Sequence, residues 1–126
     1  MVRKAIEEHE GGAHMKIEAA VTHCQGEEFK IGEVELAEPR SNEVLVRVVA
    51  TGVCHTDAVA RDNGIVPYPI VLGHEGAGIV EQAGENVKAV GPGDHVVLSY
   101  SSCGHCENCL SAHPSTCEKM NDLNFG

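Results

Sequence analysis

Apolar residues alternate with polar ones through several short stretches from residue 15 onward, and no long helical rhythm replaces that alternation. The pattern predicts a strand over residues 17–23, a turn at Gln25-Gly26-Glu27-Glu28 and a second, less regular strand over 29–36. Glu38-Pro39-Arg40-Ser41-Asn42 reads as a further turn. The strongest strand signal is EVLVRVVATG at 43–52, with Val44, Val46 and Val48 on one face and Leu45, Arg47 and Val49 on the other. Its β-branched density favours strand over helix. Apolar side chains on both faces predict that the second face is at least partly covered. Gly52 then breaks the run before the polar Cys54-His55-Thr56-Asp57.

Residues 57–61 predict one short helix, ended by Asn63-Gly64. The two prolines of Val66-Pro67-Tyr68-Pro69-Ile70 predict an extended, irregular path. A strand is expected over 76–83, turns at Gly84-Glu85-Asn86 and Gly91-Pro92-Gly93-Asp94, and a further strand over 95–98. Many short strands without a βαβ rhythm predict a mainly β domain of barrel or sandwich type. Gly76-Ala77-Gly78 lacks the later glycine and the receiving helix of a dinucleotide-binding turn. The chain therefore has no such unit of its own for a nicotinamide cofactor.

Residues 1–14 carry no sustained periodicity, and GGAHM resembles the scar of a cloning site ahead of a natural start at Met15. An added or disordered leader is expected there. The alternative is a helix over 5–10, too short to stand alone. A length of 126 residues suits one domain rather than a two-domain enzyme. The stop at Asn124-Phe125-Gly126, just after a cysteine cluster, predicts a truncation.

Nineteen acidic residues against nine basic give a net charge of -10, which argues against an extended phosphate-backbone binder, so nucleic acid is not an expected partner. No apolar run approaches the ~20 residues that span a bilayer, so no membrane association is expected. Six cysteines are many for this length, and four of them fall between Cys103 and Cys117. Clustering of that kind points to metal in a reducing compartment, and so to the cytoplasm.

Cys103, Cys106 and Cys109 are separated by two-residue gaps, and Cys117 follows after seven more residues. Short gaps let sulfurs converge, and the excursion over 110–116 returns the last one from the far side. Four thiolates so placed suit one tetrahedral zinc, in a loop lobe spanning 99–119. An iron-sulfur cluster is the rival, although its motif places the fourth cysteine three residues on and follows it with proline. Disulfides are the third possibility. A site closed by four protein ligands is structural and contributes on the order of 10 kcal/mol to folding. His105 and His113 are then expected at the surface. On residue chemistry alone, Cys54 and His74 make an incomplete zinc site, and a buried thiol plus a loop histidine is the plainer reading. Cys24 is expected as a core or near-core thiol, and His23 and His95 as structural residues.

GVCHTD at 52–57, LGHEGAG at 72–78, PGDHV at 92–96 and the four-cysteine lobe together carry a resemblance. From Met15 to Gly126 the chain resembles the N-terminal catalytic-domain portion of zinc-dependent medium-chain alcohol dehydrogenases, most of all the aryl and benzyl alcohol dehydrogenases. The resemblance implies a GroES-like, partly open β-barrel with a zinc-binding loop lobe. It implies catalytic zinc ligands at Cys54 and His74, and structural zinc ligands at Cys103, Cys106, Cys109 and Cys117. Asp57 matches the acid that orients the ligating imidazole, Glu75 an acid close to the metal, Thr56 the hydroxyl that starts a proton relay, and His55 a basic position near the cofactor pyrophosphate.

The activity so implied is hydride transfer between a primary, aromatic alcohol and NAD, in a homo-oligomeric parent whose small-molecule partner is an alcohol or aldehyde. Val59 stands where some relatives end the relay with histidine. The family's third catalytic ligand lies downstream of this chain, so the chain alone is expected to be inactive. A free-standing zinc-stabilised β module that binds a partner is the alternative. A quinone-reductase-like relative without catalytic zinc fits poorly, because both ligand positions are filled.

Overall fold

A computed structural model describes residues 14–125. The leader and the helix considered for 5–10 lie outside the described residues, except that His14 is the first residue of a strand. That strand, β1 (His14–Thr22), pairs antiparallel with β2 (Lys30–Ala37), from His14 opposite Ala37 to Val21 opposite Lys30. Next come β3 (Val44–Thr51), helix α1 (His55–Asn63), the two-residue β4 (Ile70–Val71), β5 (Gly76–Ala83) and β6 (His95–Val97). Two three-stranded sheets result, in the orders β2-β1-β4 and β3-β5-β6. Every strand pair is antiparallel and neither sheet closes on itself, which agrees with the partly open barrel expected. Among the described residues no helix is long and apolar enough to cross a membrane.

The predicted strands are present with ends shifted by up to three residues, and β5 has the predicted bounds. The helix predicted over 57–61 extends by two residues at each end, because both ends find partners. Asp57 reaches back to accept the Cys54 backbone N–H at 3.3 Å. At the other end Gly64 takes the left-handed conformation, φ 65°, that closes a helix. The last carbonyls are satisfied from outside: Gln25 donates to Asp62 at 2.8 Å, the Gly26 N–H to Arg61 at 3.0 Å, and the Tyr68 hydroxyl to Arg61 at 2.6 Å. The turn after β1 is thereby fastened to α1. Val21, Ala60, Val66 and Val80 form the buried apolar core, beside a wholly buried Thr22 whose hydroxyl serves the carbonyls of Cys24 and Glu27, both at 3.2 Å.

The structure refines one expectation and corrects another. On the second face of β3 the cover expected for part of it falls on the half-buried Leu45, while Val48 and Val49 at the far end are 54% and 61% exposed. Strand β3 is an edge strand kinked by irregularities after Leu45 and after Val48, and nothing described packs over its end. Cys24 is exposed rather than near-core, because the strand ends at Thr22 and the thiol sits in the following turn, 3.6 Å from a Glu27 carboxylate oxygen. The cysteine region also holds short helical elements that the pattern did not announce. Helix α2 (Glu107–Leu110), a 3-10 turn at Pro114–Thr116 and helix α3 (Met120–Asn124) are each too short to show a period.

The tight β3–β5 contact yields a paired test. A Cβ on Gly78 would lie 2.4 Å from the Arg47 carbonyl oxygen and 2.6 Å from Val46 Cγ1, whereas one on Gly32 would meet nothing within 4 Å. Gly78→Ala is expected to cost about 1–3 kcal/mol through overpacking. Gly32→Ala should stay within about 0.5 kcal/mol of the parent. Urea midpoints for the two variants check the contrast.

Candidate metal centres

The register of β3 on β5 ends with Thr51 opposite Gly76, and one further bond, Gly52 N–H to the Glu75 carbonyl at 2.8 Å, extends it into the loops. Residues 52–54 and 73–75 are therefore laid side by side although a helix and β4 separate them in sequence. Gly52 leaves room at the crossing for the Glu75 carboxylate, since a Cβ there would sit 2.0 Å from Glu75 Oε2 unless that side chain moved. Beyond Gly52 the chain turns into α1 with Cys54 as the residue that caps it, so the first helical turn carries His55, Thr56 and Asp57.

One ligand atom from each of Cys54, His74 and Glu75 lies within 4.8 Å of the others. Asp57 holds this group from behind. Its Oδ1 is 3.1 Å from His74 Nδ1 while its Oδ2 takes the Cys54 N–H. With Nδ1 engaged, Nε2 is the nitrogen left for a metal, and it stands 3.8 Å from Glu75 Oε1. Thr56 Oγ1 is 3.5 Å from Cys54 Sγ. The ring of Tyr100 stacks on His74, centroids 5.0 Å apart and planes 21° apart. An open cleft of about 460 Å³ runs alongside, lined by His74, Glu75, Val97 and Leu98 among others. Of the predicted set, His55 alone is not gathered in; it opens α1 with an exposed side chain.

Cys54 and His74 shift each other's charge. The Thr56 hydroxyl, then the Thr56 N–H and His74, hold the Cys54 thiol below its ordinary value. Burial works against charge on His74, but the bond to Cys54 and the Asp57 carboxylate outweigh it and raise its pKa. Tyr100 is pushed up by burial first and then by the negative charges of Asp57, Cys54 and Glu75.

In the cysteine lobe, the ligand sulfurs of Cys103, Cys106, Cys109 and Cys117 all lie within 4.8 Å of one another. Cys103 and Cys109 Sγ are 3.9 Å apart. Zinc–sulfur bonds of about 2.3 Å in a tetrahedron give sulfur–sulfur edges of about 3.8 Å, so the spacing fits a structural zinc site. Disulfide bonds are absent and all four cysteines are free. Backbone N–H groups aim at the sulfurs: Cys106 at Cys103 over 3.3 Å, and Cys103 and Lys119 at Cys117 over 3.3 and 3.4 Å. The N–H groups of Glu118 and Cys109 draw the Cys106 thiol down to about 6, while burial and the neighbouring Cys106 push Cys109 up to about 11. Four thiolates this close repel one another, and a dication is what allows all four to ionise. His105 and His113 are exposed, outside the sulfur group.

The model of the alcohol dehydrogenase GroES-like domain matches residues 40–126. The chain belongs to that family. Within it, a geraniol dehydrogenase from Castellaniella defragrans is 53% identical over 109 residues, 86% of this chain and 29% of the relative. Two solved structures are similar. An alcohol dehydrogenase zinc-binding domain protein from Burkholderia ambifaria is 51% identical with a TM-score of 0.87, over 90% of this chain and 31% of that one. A benzyl alcohol dehydrogenase from Acinetobacter calcoaceticus is 49% identical with a TM-score of 0.85, over 89% and 31%. This chain thus spans about three tenths of the length of the relatives it matches.

Sequence reasoning missed two residues of this GroES-like domain's open centre. Gly52 was read only as a breaker, and Tyr100 was not singled out, because a ring contact between distant residues leaves no periodic trace.

Ligand thiols must be deprotonated to hold metal, so zinc uptake by the metal-free chain at pH 7 should release protons, Cys109 contributing one since its pKa is about 11. Affinity therefore falls as pH falls. A pH-stat titration measures the release. With zinc bound, a thiol reagent should modify the exposed Cys24 at once and spare the four lobe cysteines until a chelator is added.

Proposed function

We propose that this chain is the N-terminal catalytic-domain portion of a zinc-dependent oxidoreductase that moves a hydride between a primary alcohol and NAD. The observation that carries this is the convergence of Cys54, His74 and Glu75 within 4.8 Å, with Asp57 fixing the imidazole at Nδ1. In this reading Cys54 and His74 hold the catalytic zinc and Glu75 stands close by for ligand exchange. Cys103, Cys106, Cys109 and Cys117 hold a structural zinc. Zinc, when bound at the open centre, supplies the Lewis acidity that makes an alcohol proton easier to remove. Thr56, 3.5 Å from the Cys54 sulfur, accepts that proton and hands it toward solvent. A nicotinamide cofactor, when bound by the full-length protein, would supply the acceptor for the hydrogen that leaves the alcohol carbon with the electron pair of its C–H bond, the alcohol becoming an aldehyde. His55, exposed at the start of α1, is assigned to the cofactor pyrophosphate.

Preference for aromatic alcohols rests on the likeness to the benzyl alcohol dehydrogenase. The net charge of -10 supports a parent without nucleic-acid or membrane partners, and the unpaired cysteines support a cytoplasmic one. A homo-oligomeric parent is part of the same proposal and rests on the family resemblance.

The longer parent protein is expected to reduce NAD with benzyl alcohol, and the 126-residue chain alone is not. In the parent, Thr56→Val should lower kcat by about 10²–10⁴-fold. Cys54→Ser should remove turnover and catalytic zinc while the zinc of the lobe stays. Full activity in the Cys54→Ser parent, measured by NADH absorbance, would sink the proposal; turnover by the isolated chain would overturn the expectation that it is incomplete.

A further inference from the structure

The two candidate centres are joined by a short physical path. Ser101 opens the lobe one residue after Tyr100, and it is gripped by one side chain from α3. Asn124 Oδ1 accepts the Ser101 N–H at 2.7 Å, and Asn124 Nδ2 donates to the Ser101 carbonyl at 3.0 Å. An amide that takes both backbone groups of one residue mimics a strand partner and leaves that residue little freedom. The same amide donates to the Met120 carbonyl at 2.7 Å, so its own rotamer is fixed by the helix that carries it. Phe125, the next residue, lies tilted against Tyr100 with centroids 6.3 Å apart. Tyr100 in turn lies on His74 at 5.0 Å.

We propose that Tyr100 is a positioning residue for His74, and that the Asn124 clasp on Ser101 sets it, so that order in the cysteine lobe is passed to the open centre. The inference rests on the reading of Cys54 and His74 as metal ligands. Asp57 holds His74 at Nδ1 and Cys54 bonds the same ring, but hydrogen bonds to ring nitrogens act at its edge. Tyr100, three residues past the end of strand β6, adds a contact on the face of the ring, which resists tilting out of its plane. Leu98 N–H to the Gly76 carbonyl at 2.7 Å ties that strand to the loop bearing His74, two residues before Tyr100. The lobe folds around its sulfurs, α3 follows Cys117 through the bond from the Met120 N–H to the Cys117 carbonyl at 3.0 Å, and α3 delivers Asn124. Metal in the lobe therefore acts on His74 through four contacts in series, without touching it.

The test uses the full 126-residue chain with one equivalent of zinc in the lobe, confirmed by metal analysis, and titrates cobalt(II) into the second centre. The thiolate-to-cobalt band, absent in Cys54→Ser, reports binding there. Tyr100→Phe keeps the ring and should bind cobalt within about twofold of the parent. Tyr100→Leu should weaken binding by about three- to tenfold, the worth of one aromatic stack. Asn124→Ala should fall in the same direction with the lobe zinc retained. A second readout needs no cobalt: the upfield ring-current shift of the His74 Hε1 proton should persist in Tyr100→Phe and vanish in Tyr100→Leu and Asn124→Ala. Equal cobalt affinity in Tyr100→Leu and the parent would overturn the positioning role. An unchanged His74 shift in Asn124→Ala would overturn the clasp. If the unsubstituted 126-residue chain takes up no second cobalt, as the lack of a third ligand allows, the proton shift alone decides: an unchanged His74 shift in Tyr100→Leu or in Asn124→Ala overturns the proposal.

Discussion

The antiparallel register of β3 on β5 is the constraint on which the rest depends. Because Thr51 faces Gly76, the first residues past each strand, Gly52 and Glu75, continue the ladder, and the groups on either side of that rung converge. Cys54 arrives from β3 and His74 from the loop before β5, and both are placed before any side chain chooses a rotamer. A slip of one residue would turn Cys54 and His74 to opposite faces. The two strands approach closely at Gly78, where a Cβ would meet the Arg47 carbonyl oxygen, while at Gly52 the space a Cβ would take is filled by the Glu75 side chain.

Around that rung the molecule gathers a thiol, an imidazole and two carboxylates. Asp57 divides its two oxygens between the Cys54 N–H and His74, acting at once as helix cap and as imidazole support. The lobe follows the same logic with sulfur: N–H groups stabilise some thiolates, and crowding raises another until a metal enters. Both centres are built from local turns anchored to the β3-β5-β6 sheet and its continuations. The other sheet, β2-β1-β4, contributes through the turn after β1 that caps α1, and so fixes the far end of the helix whose near end is Cys54.

Much of this was legible in the residues. Strand alternation marked β1, β2, β3 and β5, since a half-buried strand must repeat with period two. The lobe was legible because its ligands are neighbours: three sulfurs within seven residues can converge only by a tight loop. Burial was read less well. Cover on the second face of β3 reaches Leu45 and stops short of Val49, because β3 lies at an edge and coverage depends on neighbours rather than on the strand itself. Cys24 was placed near the core for the same reason, its exposure being decided by where β1 ends.

The sequence by itself determined the kinds of atoms available, the strand periods and the short ligand spacings, all of which are local properties of bonded neighbours. It also carried the family, because four motifs kept their order and spacing. Only the tertiary structure decided that Asp57 reaches both Cys54 and His74, that Glu75 folds over Gly52, and that Tyr100 and Asn124 connect the lobe to the open centre. Those contacts join residues far apart in the chain, and their formation depends on sheet register and loop closure. No window of sequence contains either quantity.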